Sequence, residues 1–213
     1  MLGVFGIIIF IFSVVIHEVA HGAMAERMGD PTARLAGRIT LNPIRHLDPI
    51  GSVMLPILLV ITNSPFIIGW AKPVPVNPLN FIDKKYGEAK VSLAGPLANI
   101  TVAIVFGLLL RFIPLASTSF TQNIASIFGY IVWINLLLAV FNLIPIPPLD
   151  GSHILFTFLP RSADNIKIFL SRYGFFLLIF FIFFLFPFIV PVIIFFFKAI
   201  IGPKAILILS LFM

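Results

Sequence analysis

The sequence predicts an all-α polytopic membrane protein, and three observations carry that prediction. Of its 213 residues 60% are hydrophobic and only 10% charged, and the mean hydropathy of +1.15 lies outside the range of soluble domains. The apolar residues gather into runs that approach or exceed the roughly 20 residues a spanning helix needs. The longest, "FFLLIFFIFFLFPFIVPVIIFFF" (175–197), holds many of the 25 phenylalanines. The 14 basic residues occupy short segments between these runs, as positive-inside topology requires. A net charge of +6 is therefore explained without nucleic acid, and the lipid bilayer is the expected partner.

Apolar segments fall at 2–25, 50–69, 91–113, 124–147 and 173–197, with a short one at 199–213, so about five to six membrane segments are expected. The first lacks a basic leader and runs straight into a histidine pair, which makes it a retained helix and not a cleaved signal. Segment 50–69 contains Pro56 and "TNSP"; it reads as a re-entrant hairpin or an in-plane stretch. Pro187 and Pro191 kink the 173–197 run, and Gly202-Pro203 separates it from the last. Between segments, Pro73, Pro75 and Pro78 forbid a helix interior but suit an extended edge. Short β-strand elements are therefore expected at 70–78, with an ordinary loop as the alternative. No repeat or hydrophilic domain interrupts the pattern, so 1–213 reads as a single membrane-embedded domain. Its core covers about 1–158, followed by C-terminal membrane helices at about 173–213.

The chain has no cysteine, so any metal must be held by nitrogen and oxygen. In "HEVAH" (17–21), His17 and His21 stand four residues apart on one helix face. Both can bind one zinc ion while Glu18 faces a water in the open position. Zinc acidifies that water and Glu18 takes its proton, which is the chemistry of metal-assisted peptide hydrolysis. Chance spacing is the competing explanation, but a carboxylate in an apolar helix costs a few kcal/mol unless partnered, and that favours function. A catalytic zinc needs a third protein ligand. Of the eight acids, only Glu18 and Asp150 border long apolar segments without basic neighbours. Asp150 lies in "FNLIPIPPLDGSHILF" (141–156), where Pro145, Pro147 and Pro148 break the helix. Unwound backbone at membrane depth is tolerated only inside protein or against a wet cavity. An isolated Asp-Gly would be a surface turn; coupled to 17–21, Asp150 reads as the third ligand of one Zn2+.

Three stretches, "HEVAH" at 17–21, "GPLAN" at 95–99 and "NLIPIPPLDG" at 142–151, together resemble the motifs of the site-2 protease family. These are intramembrane zinc metalloproteases, and this chain is similar to a small form without PDZ or CBS domains. The resemblance implies that His17, His21 and Asp150 are zinc ligands and Glu18 is the catalytic base. It also implies that Asn99 and Asn142 orient substrate or site, each with a helix-packing hydrogen bond as its alternative. Val74 and Val76 would lie on a strand edge that holds an unwound peptide by β-augmentation. Membrane proteins whose helices can unwind are the implied substrates, and the small size resembles bacterial or archaeal members. His46 and Asp48 read as loop or capping residues. His153 reads as a solvated helix face or a partner of the ligands. The rival readings are a non-enzymatic zinc transporter and a catalytically silent relative; Glu18 discriminates, because transport needs no general base.

Topology supplies a test. If every apolar segment crosses the membrane, His21 and Asp150 end on opposite faces. If 50–69 dips in and returns, they share a face, and the basic residues divide eleven against three instead of seven against seven. The positive-inside rule prefers the former, which puts the site toward the cytoplasmic side of a cell membrane. About fifteen helical residues before His17 rise roughly 22 Å into a hydrocarbon layer about 30 Å thick. The metal is thus expected below the surface, with water arriving from the cytoplasmic side.

Overall fold

The computed structural model describes residues 2–62, 71–113 and 118–211. Helix α1 (Leu2–Arg27) has no charged side chain before Glu18 and ends where Gly29 turns at a φ of +99°. A single turn, α2 (Thr32–Leu35), follows, then a 3-10 turn at Pro43–His46 and a π-helical turn at Pro49–Met54 that runs into α3 (Leu55–Ile61). Helix α4 (Gly87–Phe112) begins where the Asp83 carboxylate accepts the Lys85 and Tyr86 N–H groups. Helix α5 (Ser119–Asn142) starts under the Thr118 hydroxyl cap and stops just before the prolines. The short α6 (Asp150–Phe158) leads to α7 (Asp164–Phe180), which passes through a π turn at Phe181–Leu185 into α8 (Phe186–Ile201). That wide turn sits where Pro187 removes an N–H and its ring crowds the carbonyl four residues back. A turn at Gly202 joins α9 (Ala205–Leu209).

Helices α1, α4 and α5 pack side by side, with α8 and α9 closing the far side of α4 and α5. Small residues let these helices approach, as the lipid-solvated state favours. Ala103 and Gly107 of α4 and Ala125, Gly129 and Ala139 of α5 are all buried. Larger side chains fill the remaining space: Leu110, Val132, Leu136, Ile193, Phe197 and Ile208 form the core of this end. Phe197 meets Trp133 edge to face at 6.2 Å. The opposite tendency marks α7, α8 and the π turn between them, where Phe175, Phe176, Phe183 and Phe188 point outward. Such a surface is at home in hydrocarbon.

Four helical stretches among the described residues are long and apolar enough to cross a membrane: Phe5–Arg27, Gly87–Phe112, Ser119–Asn142 and Asp164–Leu209. The five to six segments expected included a re-entrant hairpin at 50–69 and the short 199–213 stretch, neither of which is a separate span among these four. The described part of 50–69 consists of the π turn and α3, too short to cross, and residues 63–69 lie outside the described residues. The 199–213 stretch makes no separate crossing among its described residues. It folds into α9, with Ala205 and Ile208 buried in the core.

The expected strand is not formed: no β-strand occurs among the described residues, and 71–77 runs as an irregular extended strap. The reason lies in its donors. Pro73, Pro75 and Pro78 have no N–H. The Lys72, Val74 and Asn77 N–H groups go to the His46 carbonyl, the Glu18 carboxylate and the Asp30 carboxylate. None of these belongs to a strand, so no ladder can grow.

Asp30 holds this strap in place. Fully buried, it accepts the Asn77 N–H at 2.7 Å, the Asn80 side-chain amide at 2.8 Å, and both the N–H and hydroxyl of Thr32. Burial alone would raise its carboxyl; these donors, led by the Asn77 N–H, hold it below its ordinary value. The stabilisation is therefore complete above the ordinary carboxylate value of about 3.9 and is lost as pH falls through the lowered one. Replacing Asp30 with Ala leaves several buried donors unmet, at about 1–3 kcal/mol. The expected result is a lower melting temperature in detergent and faster tryptic cutting at Lys84 and Lys85, which follow the strap; unchanged values for both would show that the strap is held by other contacts.

Candidate metal centre

One face of α1 carries His17 and His21, both buried. Helix α4 meets them at Gly95, where an added Cβ would lie 2.5 Å from His21 Nε2 and 2.6 Å from His17 Nε2. Only a glycine lets both rings lie against the α4 backbone. Each ring is held from behind. His17 Nδ1 donates to Asn99 Oδ1 at 2.6 Å, and His21 Nδ1 donates to the Val91 carbonyl at 2.7 Å. A neutral imidazole that donates from Nδ1 keeps a lone pair on Nε2. The two Nε2 atoms face each other 2.9 Å apart.

Asp150 arrives from the other end of the chain. Leu143 to Leu149, broken by three prolines, turn the chain so that Asp150 opens α6. Gly151 packs beneath the Leu143 and Ile144 carbonyls, where a side chain would overlap them. Asp150 Oδ2 then stands 3.1 Å from His17 Nε2 and 3.3 Å from His21 Nε2. His17, His21 and Asp150 are the group among the described residues whose ligand atoms converge as a metal site requires.

Three electron-pair donors at this separation repel one another unless a cation lies between them. Zinc bonds of about 2.0–2.2 Å in tetrahedral array space their ligand atoms about 3.3–3.5 Å apart. The observed triangle is within a few tenths of an ångström of that spacing. Two imidazoles and a carboxylate fit zinc chemically, and three protein ligands leave one position open. Beside that position is a cavity of about 350 Å³ lined by Glu18, Val74, Val76, Asn142 and His153 as well as the three ligands' side chains. Glu18 Oε2 accepts the Val74 N–H at 2.8 Å, which fixes the carboxylate at the cavity wall.

The two asparagines singled out from sequence differ in placement. Asn99, fully buried, orients His17 and touches the cavity only through it. Its amide donates to the Ser13 carbonyl at 3.1 Å and to Asn135 Oδ1 at 2.8 Å, and Asn135 donates in turn to Ser13 Oγ at 2.9 Å. Asn142 lines the cavity but spends its amide on the Leu138 carbonyl of its own helix. Val74 and Val76, both in the strap, line the cavity, Val74 with its side chain buried. His46 bonds the Thr40 carbonyl, while Asp48 caps the following turn through Ile50 and Gly51 N–H, both in the structural roles expected of them. His153 is paired with Glu88 at 2.8 Å on the cavity rim, so neither the free helix face nor a direct bond to a ligand describes it. Sequence reasoning missed Ser13, Asn135 and Glu88, and it quoted Gly95 within the 95–99 motif without giving it a role. A polar residue amid apolar helix was the available signal for the first two.

Residues 112–181, which include Asp150, match the family model described as peptidase family M50. The chain is 35% identical over 173 residues to a Bacillus subtilis protein named "Putative zinc metalloprotease YwhC", a match covering 79% of this chain and 75% of that one. It is 33% identical over 152 residues to Rip2 of Mycolicibacterium smegmatis, which carries the same designation, with 70% of this chain and 56% of Rip2 covered. A third relative, "Zinc metalloprotease MJ0392" of Methanocaldococcus jannaschii, is 33% identical over 101 residues, 44% of this chain and 27% of its own. The chain thus spans three quarters of YwhC but only about half of Rip2. No solved structure matches the chain.

Two substitutions separate packing from orientation. Gly95→Ala drives a methyl group into both imidazoles and is expected to abolish zinc retention in the purified protein, measured by elemental analysis. Asn99→Ala removes the His17 acceptor and is expected to weaken zinc about 10- to 100-fold. Wild-type zinc content in both variants would contradict this geometry.

Proposed function

The chain belongs to peptidase family M50, and from that premise we propose that it is an intramembrane zinc endopeptidase acting on transmembrane or membrane-proximal segments of other membrane proteins. The observation that carries this reading is the convergence of His17, His21 and Asp150 beside Glu18, among helices apolar enough to lie in a bilayer. Zinc, when bound by the three ligands, supplies a Lewis acid that makes water acidic near neutral pH. Glu18, held at the cavity wall by the Val74 N–H, would take one proton from the attacking water as the water oxygen joins the scissile carbonyl carbon. The same carboxylate then passes the proton to the departing amine as the C–N bond breaks. Asn99 and Val91 hold the rings at their Nδ1 atoms throughout, so the ligand lone pairs stay aimed. A substrate helix hides its carbonyls in its own hydrogen bonds and must unwind to be cut. The extended strap carrying Val74 and Val76 runs along the cavity and is the surface against which an unwound segment would lie.

Two candidate spans, α4 and α5, separate α1 from Asp150. An even number of crossings returns the chain to the face it left, which supports a 50–69 segment that turns back. With that topology eleven basic residues gather on the face nearer the site, and the positive-inside rule makes it cytoplasmic. The relatives named above come from bacteria and an archaeon, which supports a cell-membrane location in such an organism.

The decisive comparison is wild type against Glu18→Gln, purified in detergent with a membrane-helix substrate. The variant is expected to retain zinc and to lose cleavage by at least about 10²- to 10⁴-fold. Equal cleavage by both would remove Glu18 as the base. A wild type that holds zinc but cuts no substrate, and moves zinc across liposomes, would favour transport. Because the chain has no native cysteine, single cysteines at positions 84 and 111 can be labelled in intact cells. Position 84 is expected to be shielded from external reagent and 111 to be reached by it; the reverse would overturn the topology.

A further inference from the structure

The strap that reaches Glu18 has a second face, turned toward the loop that follows α1. Gly37, at a φ of +64°, ends the α2 turn so that Arg38 folds under the strap. The Arg38 side chain is 6% exposed. Its Nη2 donates to the Lys72 carbonyl at 2.6 Å and to the Pro73 carbonyl at 3.4 Å. Its Nε is buried without a hydrogen-bond partner. No carboxylate pairs with it among the described residues.

Arg38 lines a pocket of about 300 Å³ together with Arg45, Lys72, Ala36 and two strap prolines. Three cations therefore converge with no acid among the described lining residues. A buried guanidinium without a counter-charge is costly, and planar N–H donors of this kind suit phosphate oxygens. The surrounding loop identifies where the phosphate comes from. Leu35, Leu41 and Ile44 alternate with these cations and are 78%, 59% and 72% exposed. Exposed aliphatic side chains interleaved with basic ones are the signature of a surface seated among lipid headgroups. The loop also leaves α1 immediately after its apolar span, at the level where headgroups lie.

We propose that this pocket binds the phosphate of an anionic phospholipid headgroup, with the acyl chains passing over the exposed leucine and isoleucine side chains. Its wall is the backbone of Lys72 and Pro73, one residue before the N–H that Glu18 accepts. A headgroup held there braces the strap from the side opposite the metal centre. Headgroup binding requires no cleavage and is independent of the peptidase reading.

The test uses the full chain in neutral detergent, titrated with phosphatidylglycerol, phosphatidylcholine and inorganic phosphate, with bound species counted by native mass spectrometry. Wild type is compared with the double variant Arg45→Gln, Lys72→Gln, whose altered side chains belong to exposed residues and leave the Arg38 brace intact. Its melting temperature serves as the check on folding. Each cation near a headgroup contributes about fivefold in affinity, so the preference of wild type for phosphatidylglycerol is expected to fall at least about tenfold in the variant. Equal binding of both lipids by wild type, or an undiminished preference in the variant, would overturn the proposal. Displacement of phosphatidylglycerol by inorganic phosphate would identify a small-anion site and overturn the lipid assignment.

Discussion

The structure turns on two hydrogen bonds made on the far side of the metal centre. By accepting Nδ1–H from His17 and His21, Asn99 Oδ1 and the Val91 carbonyl fix both tautomers and leave both Nε2 lone pairs facing inward. Asp150 adds a third electron-pair donor, this one a carboxylate oxygen, at 3.1–3.3 Å. Everything else about the site follows from making that arrangement tolerable in an apolar frame. The groups behind the rings must be satisfied, and the space between the donors must hold a cation.

The first demand is met by a polar thread through three helices. Ser13 of α1, Asn99 of α4 and Asn135 of α5 pair with one another with little exposure. Unpaired, these amides would be expensive in so dry a setting; paired, they fix the rotation of each helix about its axis and with it the direction of His17. Close approach does the rest. Gly95 lets the imidazoles touch α4, and Gly151 lets α6 sit under the end of α5. The same thread supports the candidate metal ligands and binds the helices, so fold and site are not separable.

Much of this is legible in the residues. The candidate spans at α1, α4 and α5 follow from run length alone, and the cluster of His17, His21 and Asp150 follows from a four-residue histidine spacing plus an aspartate at a proline-broken helix end. What escapes is set by long-range pairing. The strap at 71–77 has the composition of an edge strand, but its N–H groups are claimed by Glu18, Asp30 and the His46 carbonyl, which no local pattern reveals. The last apolar stretch has the composition of another membrane segment; α9 instead turns at Gly202 and buries Ala205 and Ile208 against α5. His153 reads locally as a solvated face because its partner, Glu88, lies 65 residues away on another helix.

The proposed chemistry requires that two imidazole nitrogens and one carboxylate oxygen hold a single zinc ion and leave a position for water. Zinc-edge X-ray absorption on the purified protein tests this directly. Nitrogen and oxygen scatterers are expected at about 2.0–2.2 Å, with an outer-shell pattern from two imidazoles and four-coordination. A first shell with one or no imidazole, or fully hydrated zinc, would contradict it.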